Sequence, residues 1–181
     1  MGILDGKVII VTGSAKGMGA AEAHHAAENG AEVIVTDILD ELGNQTATEI
    51  GAHYLTLDVT SKENWDEVIS SVFDEHGRID GLVNNAGVYT SQDIFSGSAD
   101  TFQRIVEVNQ FGTYLGMSTV APIMSRQESG SIVNISSVAG MRAQANIAYM
   151  ASKWAVRGMT KGVAKTLASS GVRCNSVHPG A

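Results

Sequence analysis

Lys7-Val8-Ile9-Ile10-Val11-Thr12 runs directly into Gly13-Ser14-Ala15-Lys16-Gly17-Met18-Gly19, and an alanine-rich segment follows to about Asn29. The five residues after Lys7 are β-branched, and the run is apolar on both faces, as in a strand buried on both sides of a parallel sheet. The alanine-rich segment reads as a helix. A glycine-rich turn therefore joins a first strand to a first helix. Glycines there let the chain turn sharply, let backbone N–H groups approach a phosphate closely, and let the helix pack near the sheet. The helix N-terminus adds a field that favours an anion. The spacing is Gly-x-x-x-Gly-x-Gly rather than Gly-x-Gly-x-x-Gly. A plain tight turn is the competing reading, and the strand-to-helix context favours the phosphate site.

The same alternation repeats outward from this turn. Further strands are predicted at Glu32–Thr36, His53–Leu57, Asp80–Val83, Ser131–Ile135 and Val172–Val177. Helices are predicted through Gln45 to Ile50, from Ser61 to His76, from Asp100 to about Ser125 and from Ile147 to Ser169. Ser61 suits a helix N-cap, with Trp65, Val68, Ile69 and Val72 as the apolar stripe behind it. Gly30, Gly51, Gly77 and Gly171 each stand between a helix and a strand, where a left-handed residue ends the helix. The pattern predicts an α/β fold, a doubly wound parallel sheet with helices on both faces. Pro122 falls inside the long helix and predicts a break there.

Composition narrows the function. The chain has 181 residues, 44% of them apolar, enough for one domain with a real core. A net charge of −7 argues against a nucleic-acid partner. A single cysteine, Cys174, excludes an internal disulfide and fits a reducing compartment. Its apolar surroundings predict a small buried side chain. The N-terminus reads without a secretory signal, and Gly6 stands where a myristoylation motif needs Ser or Thr. No run approaches a membrane span. A soluble, cytoplasmic protein is the expectation. His24-His25 lack the companions a metal site needs, so no metal is expected.

Chemistry-bearing residues gather around the strand ends. Asp37 ends the second strand, followed by Ile38, where a carboxylate can accept the ribose hydroxyls of a dinucleotide. It also repels a 2′-phosphate, which favours NAD over NADP, although Lys16 in the turn pulls the other way. A helix cap is the alternative for Asp37. Asp58 ends the third strand, with a hydrogen bond to adenine or a simple turn as its two readings. Tyr149 and Lys153 lie four residues apart on one helix face, and a serine at the end of the fifth strand can meet them. Such a trio can pass a proton to or from an alcohol or carbonyl oxygen. Ser136 and Ser137 compete for that post, since neighbouring strand residues face opposite sides. Asn109 is a poor residue for a helix interior, so it holds either a special role or a bond to its own helix. The stripe Phe102, Ile105, Val106, with Gly112 and Gly116, is expected to pack helices together, and His178 reads as positional beside Pro179.

In order, these stretches resemble the short-chain dehydrogenase/reductase family across essentially the whole chain. Thr12-Gly13-x-x-x-Gly17-x-Gly19 is similar to its cofactor turn, which includes Lys16 and Met18, and Asp58-Val59 to its adenine-contacting pair. Asn84-Asn85-Ala86-Gly87 is similar to its motif beside the cofactor, and Pro179-Gly180 to its motif after the sixth strand. The resemblance implies a catalytic set of Asn109, Ser137, Tyr149 and Lys153, choosing Ser137 through its spacing to Gly140. It implies Tyr149 as general acid/base, Lys153 holding the nicotinamide ribose, and Asn109 anchoring a water that links Lys153 to solvent. Asp80 to Gly87, Ser152 to Gly158 and Asn175 to Gly180 are further similar to bacterial 3α/20β-hydroxysteroid dehydrogenases. The implied activity is NAD-dependent interconversion of a secondary alcohol and a ketone, by a homo-oligomer, commonly a tetramer. Family members continue past Pro179-Gly180 with a last strand and a substrate lid. The expectation is a Rossmann-type domain over residues 1–181, C-terminally incomplete relative to the family. A cofactor-binding protein without turnover is the alternative.

Overall fold

The computed structural model describes residues 2–180. Six strands form one sheet: β1 Val8–Thr12, β2 Glu32–Asp37, β3 His53–Thr56, β4 Gly81–Asn84, β5 Gly130–Ile135 and β6 Val172–Val177. Every pairing is parallel, in the order β3-β2-β1-β4-β5-β6. The order reverses between β1 and β4, which opens a crevice at the carboxyl ends of those two strands. The helices are α1 Gly17–Glu28, α2 Asp40–Ile50, α3 Lys62–His76, α4 Ala99–Val106, α5 Gly112–Gln127 and α6 Ile147–Leu167. The doubly wound α/β class expected from the alternation is the one observed.

The two faces of the sheet bury different side chains because successive strand residues point to opposite sides. Ile10, Ile34, Leu82 and Ile132 pack with Trp65, Leu115, Val120 and Leu167 from α3, α5 and α6. Val11, Val33 and Val35 pack with Ala23, Ala26 and Ala47 from α1 and α2. Alanine on that side lets the helices bearing the glycine turn approach the sheet. The four junction glycines adopt left-handed φ values, 91° at Gly30, 65° at Gly51, 66° at Gly77 and 68° at Gly171. Ser61 caps α3 by accepting the Asn64 N–H. Trp65 is fully buried, and its indole N–H donates to the Val59 carbonyl at 3.1 Å. The core side of α3 thereby braces a loop that borders the crevice.

A polar pair sits in the middle of this core. Asn84 and Asn134 are directly paired across β4 and β5. Asn84 Nδ2 donates to Asn134 Oδ1 at 2.8 Å, and Asn134 Nδ2 donates to Thr160 Oγ1 on α6 at 2.9 Å.

The long helix differs from its expected form in two ways. A π-helical turn, Glu107–Phe111, joins α4 to α5, which wide turns commonly do at functional positions. Pro122 lies inside α5 and does not end it. Leu115, Met117, Val120 and Met124 are buried on both sides of the proline, and their packing offsets the missing hydrogen bond. The expected packing stripe is also incomplete. Ile105 is buried, but Phe102 is 45% exposed and faces away from the core. Cys174 is buried as expected. Among the described residues no helix is long and apolar enough to cross a membrane.

Candidate active site

A cleft of about 610 Å³ lies at the carboxyl ends of the strands, at the point where the strand order reverses. One end is built from the glycine turn. A Cβ at Gly13 would lie 2.7 Å from Ala86 Cα, and one at Gly19 would lie 2.3 Å from the Gly13 carbonyl oxygen. Both glycines are therefore required by close packing of turn, helix and sheet. Gly17 is different: it has φ +61° and nothing within 4 Å of its Cβ position, so it faces open space. No side chain caps α1 at its first turn, which leaves those N–H groups for an anion. The floor is tied down by Asn85, whose Nδ2 donates to the carbonyls of Thr12 and Gly13, both at 2.9 Å. Thr12 Oγ1 in turn accepts the N–H groups of Asn85 and Ala86.

Asp37 closes this end. Its Oδ2 accepts the buried Ala15 N–H at 3.0 Å, and its Oδ1 accepts Ile38 N–H at 2.8 Å and Leu39 N–H at 3.1 Å. The carboxylate is thus fixed at the cleft edge. It does not cap α2, whose N-cap position is Leu39. Asp58 Oδ1 holds its own turn, accepting from the Thr60 N–H and Oγ1. The turn reading therefore describes one carboxylate oxygen of Asp58, and the residue still borders the cleft.

The cleft is also bordered by Tyr149, Lys153 and two serines. Lys153 Nζ stands 5.6 Å from the centre of the Tyr149 ring and donates to the Ile135 carbonyl at 2.8 Å. Burial pushes the Lys153 pKa down to about 8. The ammonium form is still dominant at neutral pH and acts in a partly dry setting, where its field is strong. Ser136 and Ser137 both border the cleft, but their hydroxyls diverge. Ser136 Oγ is buried and donates to the Lys153 carbonyl at 2.9 Å, tying β5 to α6. Ser137 Oγ accepts the Ala139 N–H at 3.1 Å, which leaves its own O–H free to donate.

Asn109 is fully buried at the π turn. Its side chain does not bond its own helix. Oδ1 accepts the Val88 N–H at 2.7 Å, and Nδ2 donates to the Val88 carbonyl at 2.9 Å and to Ser152 Oγ at 3.2 Å. A Cβ at Gly87 would fall 3.2 Å from Asn109 Oδ1 and 3.6 Å from Lys153 Nζ. Gly87 therefore keeps open the gap between those two groups.

Of the expected catalytic and cofactor-binding residues, buried Asn109 and exposed Gly180 do not border the cleft. The others border it: Gly13, Lys16, Gly17, Met18, Gly19, Asp37, Ile38, Asp58, Val59, Asn85, Ala86, Gly87, Ser137, Tyr149, Lys153 and Pro179. Sequence reasoning missed Tyr89, whose ring meets Tyr149 edge to face at 5.1 Å, because it lies in a loop without periodicity. It also missed the Val88 and Ile135 backbone contacts, which no side-chain pattern can announce. Among the described residues no cluster of three or more His, Cys, Asp or Glu is placed to hold a metal.

A dinucleotide fits this geometry. The uncapped helix start and the open side of Gly17 suit its pyrophosphate, and the fixed Asp37 carboxylate suits a ribose diol. The chain is similar to known proteins over nearly its whole length. The family profile described as short chain dehydrogenase matches residues 7–181. A 3-alpha-(or 20-beta)-hydroxysteroid dehydrogenase of Mycobacterium bovis is 42% identical, over 99% of this chain and 70% of that protein. A cyclopentanol dehydrogenase of Comamonas testosteroni is 41% identical, over 99% of this chain and 74% of that protein. A solved short chain dehydrogenase of Mycobacterium smegmatis superposes with a TM-score of 0.94 at 30% identity, over 99% of this chain and 78% of that one. With a profile match over almost all of its length, and relatives about 40% identical over nearly the whole chain, this chain belongs to the short-chain dehydrogenase family.

Proposed function

We propose that the chain interconverts a secondary alcohol and a ketone with NAD as its cofactor, and that the alcohol is carried on a ring, hydroxysteroids included. One observation carries this reading: Tyr149, Lys153 and Ser137, whose hydroxyl is free to donate, border the same cleft as the glycine turn and Asp37. The alcohol class rests on the relatives, whose names specify cyclopentanol and 3α- or 20β-hydroxysteroids.

The glycines Gly13, Gly17 and Gly19, with Lys16 and Met18, would hold the pyrophosphate. Asp37 and Ile38 would hold the adenosine ribose, and Asp58 and Val59 the adenine. Asn85, Ala86 and Gly87 would run beside the cofactor, with Lys153, Pro179 and Gly180 around its nicotinamide half. When bound, NAD supplies the hydride acceptor for oxidation and NADH the donor for reduction. Tyr149 takes the hydroxyl proton of the alcohol, and returns it in reduction. The Lys153 ammonium, 5.6 Å from the centre of the Tyr149 ring, supplies the positive charge beside this proton transfer. Ser137 donates a hydrogen bond to the substrate oxygen and steadies its changing charge. Asn109 keeps the Val88 backbone in place and anchors a water that leads protons from Lys153 to solvent.

A carboxylate at position 37 supports NAD over NADP, because it faces the place a 2′-phosphate would occupy. The continuous sheet supports one dinucleotide-binding unit over residues 1–181. Exposed aromatics, the stacked pair of Phe111 on the π turn and Tyr114 on α5, and Trp154 on α6, support a homo-oligomer, which the family resemblance makes a tetramer. A cytoplasmic location belongs to the same reading, supported by the single cysteine, which fits a reducing compartment.

The test is turnover with NAD against cyclopentanol and 3α- and 20β-hydroxysteroids, followed by absorbance of the reduced cofactor. Tyr149→Phe should lower kcat by at least ~10²-fold and leave NAD affinity intact. Near-normal turnover in that variant sinks the assignment of Tyr149. NAD binding without turnover of any alcohol leaves a binding protein in place of an enzyme.

A further inference from the structure

We propose that His178 is a positioning residue for Ser137, fixing the peptide that carries the hydroxyl which holds the substrate oxygen; this rests on Ser137 having that role. The β5–β6 ladder runs from Gly130 opposite Val172 to Ile135 opposite Val177, and Ser136 N–H still donates to the Val177 carbonyl at 2.8 Å. Pro179 has no N–H with which to extend the ladder. A side chain takes over: His178 Nδ1 stands 3.1 Å from the Ser137 carbonyl oxygen. A carbonyl only accepts, so Nδ1 carries the hydrogen. The other ring nitrogen, Nε2, is 2.9 Å from Ser176 Oγ. A neutral ring protonated at Nδ1 accepts at Nε2, so the Ser176 hydroxyl donates. The relay is directional, from the Ser176 hydroxyl to the ring and from the ring to the Ser137 carbonyl.

The consequence lies in which groups are held. The Ser137 carbonyl and the Val138 N–H belong to one peptide unit. The carbonyl accepts from His178 and from Gly140 N–H at 2.8 Å, which fills both of its lone pairs, and the Val138 N–H donates to the Pro179 carbonyl at 3.0 Å. Residues 178 and 179 thus grip the two ends of one peptide plane. Holding that plane fixes the direction in which Ser137 presents its side chain. A small rotation there moves the hydroxyl away from the substrate oxygen, and misplacement by about 1 Å can lower a rate by about 10²-fold.

The experiment compares His178→Leu, which cannot donate, with His178→Asn, whose Nδ2 lies near the place of Nδ1. Expected for His178→Leu is a fall in kcat of about 10-fold, an NAD affinity unchanged within about 2-fold, and recovery of most of the loss in His178→Asn. In a Ser137→Ala background, His178→Leu should lower kcat no further, because its effect passes through the missing hydroxyl. Additive losses, or wild-type kcat in His178→Leu, overturn the proposal while leaving Ser137 in its role. A silent Ser137→Ala variant removes both readings together. Ring ¹⁵N spectra of the unmodified protein provide a test independent of turnover and of whether His178→Leu folds. Nδ1 should be protonated and Nε2 bare at pH 8, and the opposite tautomer overturns the proposal.

Discussion

Replacing Asp37 with asparagine keeps the shape of the side chain and removes its charge, which separates two duties that the wild-type residue combines. The carboxylate serves Ala15 N–H with one oxygen and the Ile38 and Leu39 N–H groups with the other. An amide has one oxygen. The buried Ala15 N–H demands it, whereas Ile38 is 60% exposed and its neighbourhood can turn to water. Losing the charge-assisted character of these bonds costs about 1–2 kcal/mol. At about 2–4 °C per kcal/mol for a chain of this size, the melting temperature should fall by about 2–8 °C. The cleft then meets the amide nitrogen, a donor, where ribose hydroxyls need an acceptor. A hydrogen bond to a charged group is worth about 1.5–3 kcal/mol, so NAD should bind about 10- to 150-fold more weakly. NADP should respond in the opposite direction. Its 2′-phosphate carries about −1.5 to −2 charges. Repulsion between unit charges at 4 Å is about 1 kcal/mol in water and about 4 near a protein surface. Relief of about 2 kcal/mol in this water-open cleft is about 30-fold in affinity. The NAD/NADP preference should therefore drop by at least ~10²-fold. Calorimetric titration of the wild type and the Asp37→Asn variant with both dinucleotides measures it. An unchanged NAD affinity alongside a lowered melting temperature would refute the ribose role and leave Asp37 as a brace for its own turn.

Glu22 is raised to about 7 by burial, and its Oε2 has no hydrogen-bond partner among the described residues. Its folded pKa exceeds the ordinary value of 4.5, so the folded state holds the proton more tightly and stability is lost as pH rises through about 7. Glu22→Gln should therefore raise the melting temperature at pH 8, change it little at pH 4, and flatten the profile between; an equal shift at both pH values speaks against the buried carboxyl. In α5, a Cβ at Gly116 would lie 2.4 Å from Asn84 Oδ1 and 2.9 Å from the Trp65 indole. Gly116→Ala should lose about 1–3 kcal/mol through overpacking, seen in chemical denaturation, and an unchanged midpoint would show that helix and core can separate without penalty.

The alternation of β-branched runs, glycine stops and capped helices was legible because each signal is local: Gly51 and Gly77 end helices through their own backbone, and Ser61 caps through its own hydroxyl. Asp37 and the glycine turn were legible for the same reason, since strand end and spacing place them. The π turn at Glu107–Phe111 was not, because its residues carry no pattern that separates a wide turn from an α-helical one. Pro122 misled in the opposite direction. Its local preference is real, but packing around Val120 and Met124 outweighs it. The family-like spacing to Gly140 favoured Ser137 over Ser136, and what stayed hidden was that the Ser136 hydroxyl is engaged by a partner distant in sequence, the Lys153 carbonyl. Asn109 looked special through its low helix propensity, yet its partner Val88 could be found only in three dimensions.

The Asn84–Asn134 pair has a consequence for how the chain arrives at this fold. A parallel sheet of apolar strands tolerates sliding, because valine and isoleucine pack almost as well one step along. A one-residue slip of β5 against β4 would turn one of these amides to the opposite face and leave both buried without partners. Each unsatisfied polar group would then cost about 1–3 kcal/mol. The pair therefore penalises misaligned intermediates more than it strengthens the native state, and it does so between the two strands whose ends carry Gly87 and Ser137. Strand alignment and active-site assembly become a single event: a chain that has paired these amides has already brought the two halves of its cleft to the same level.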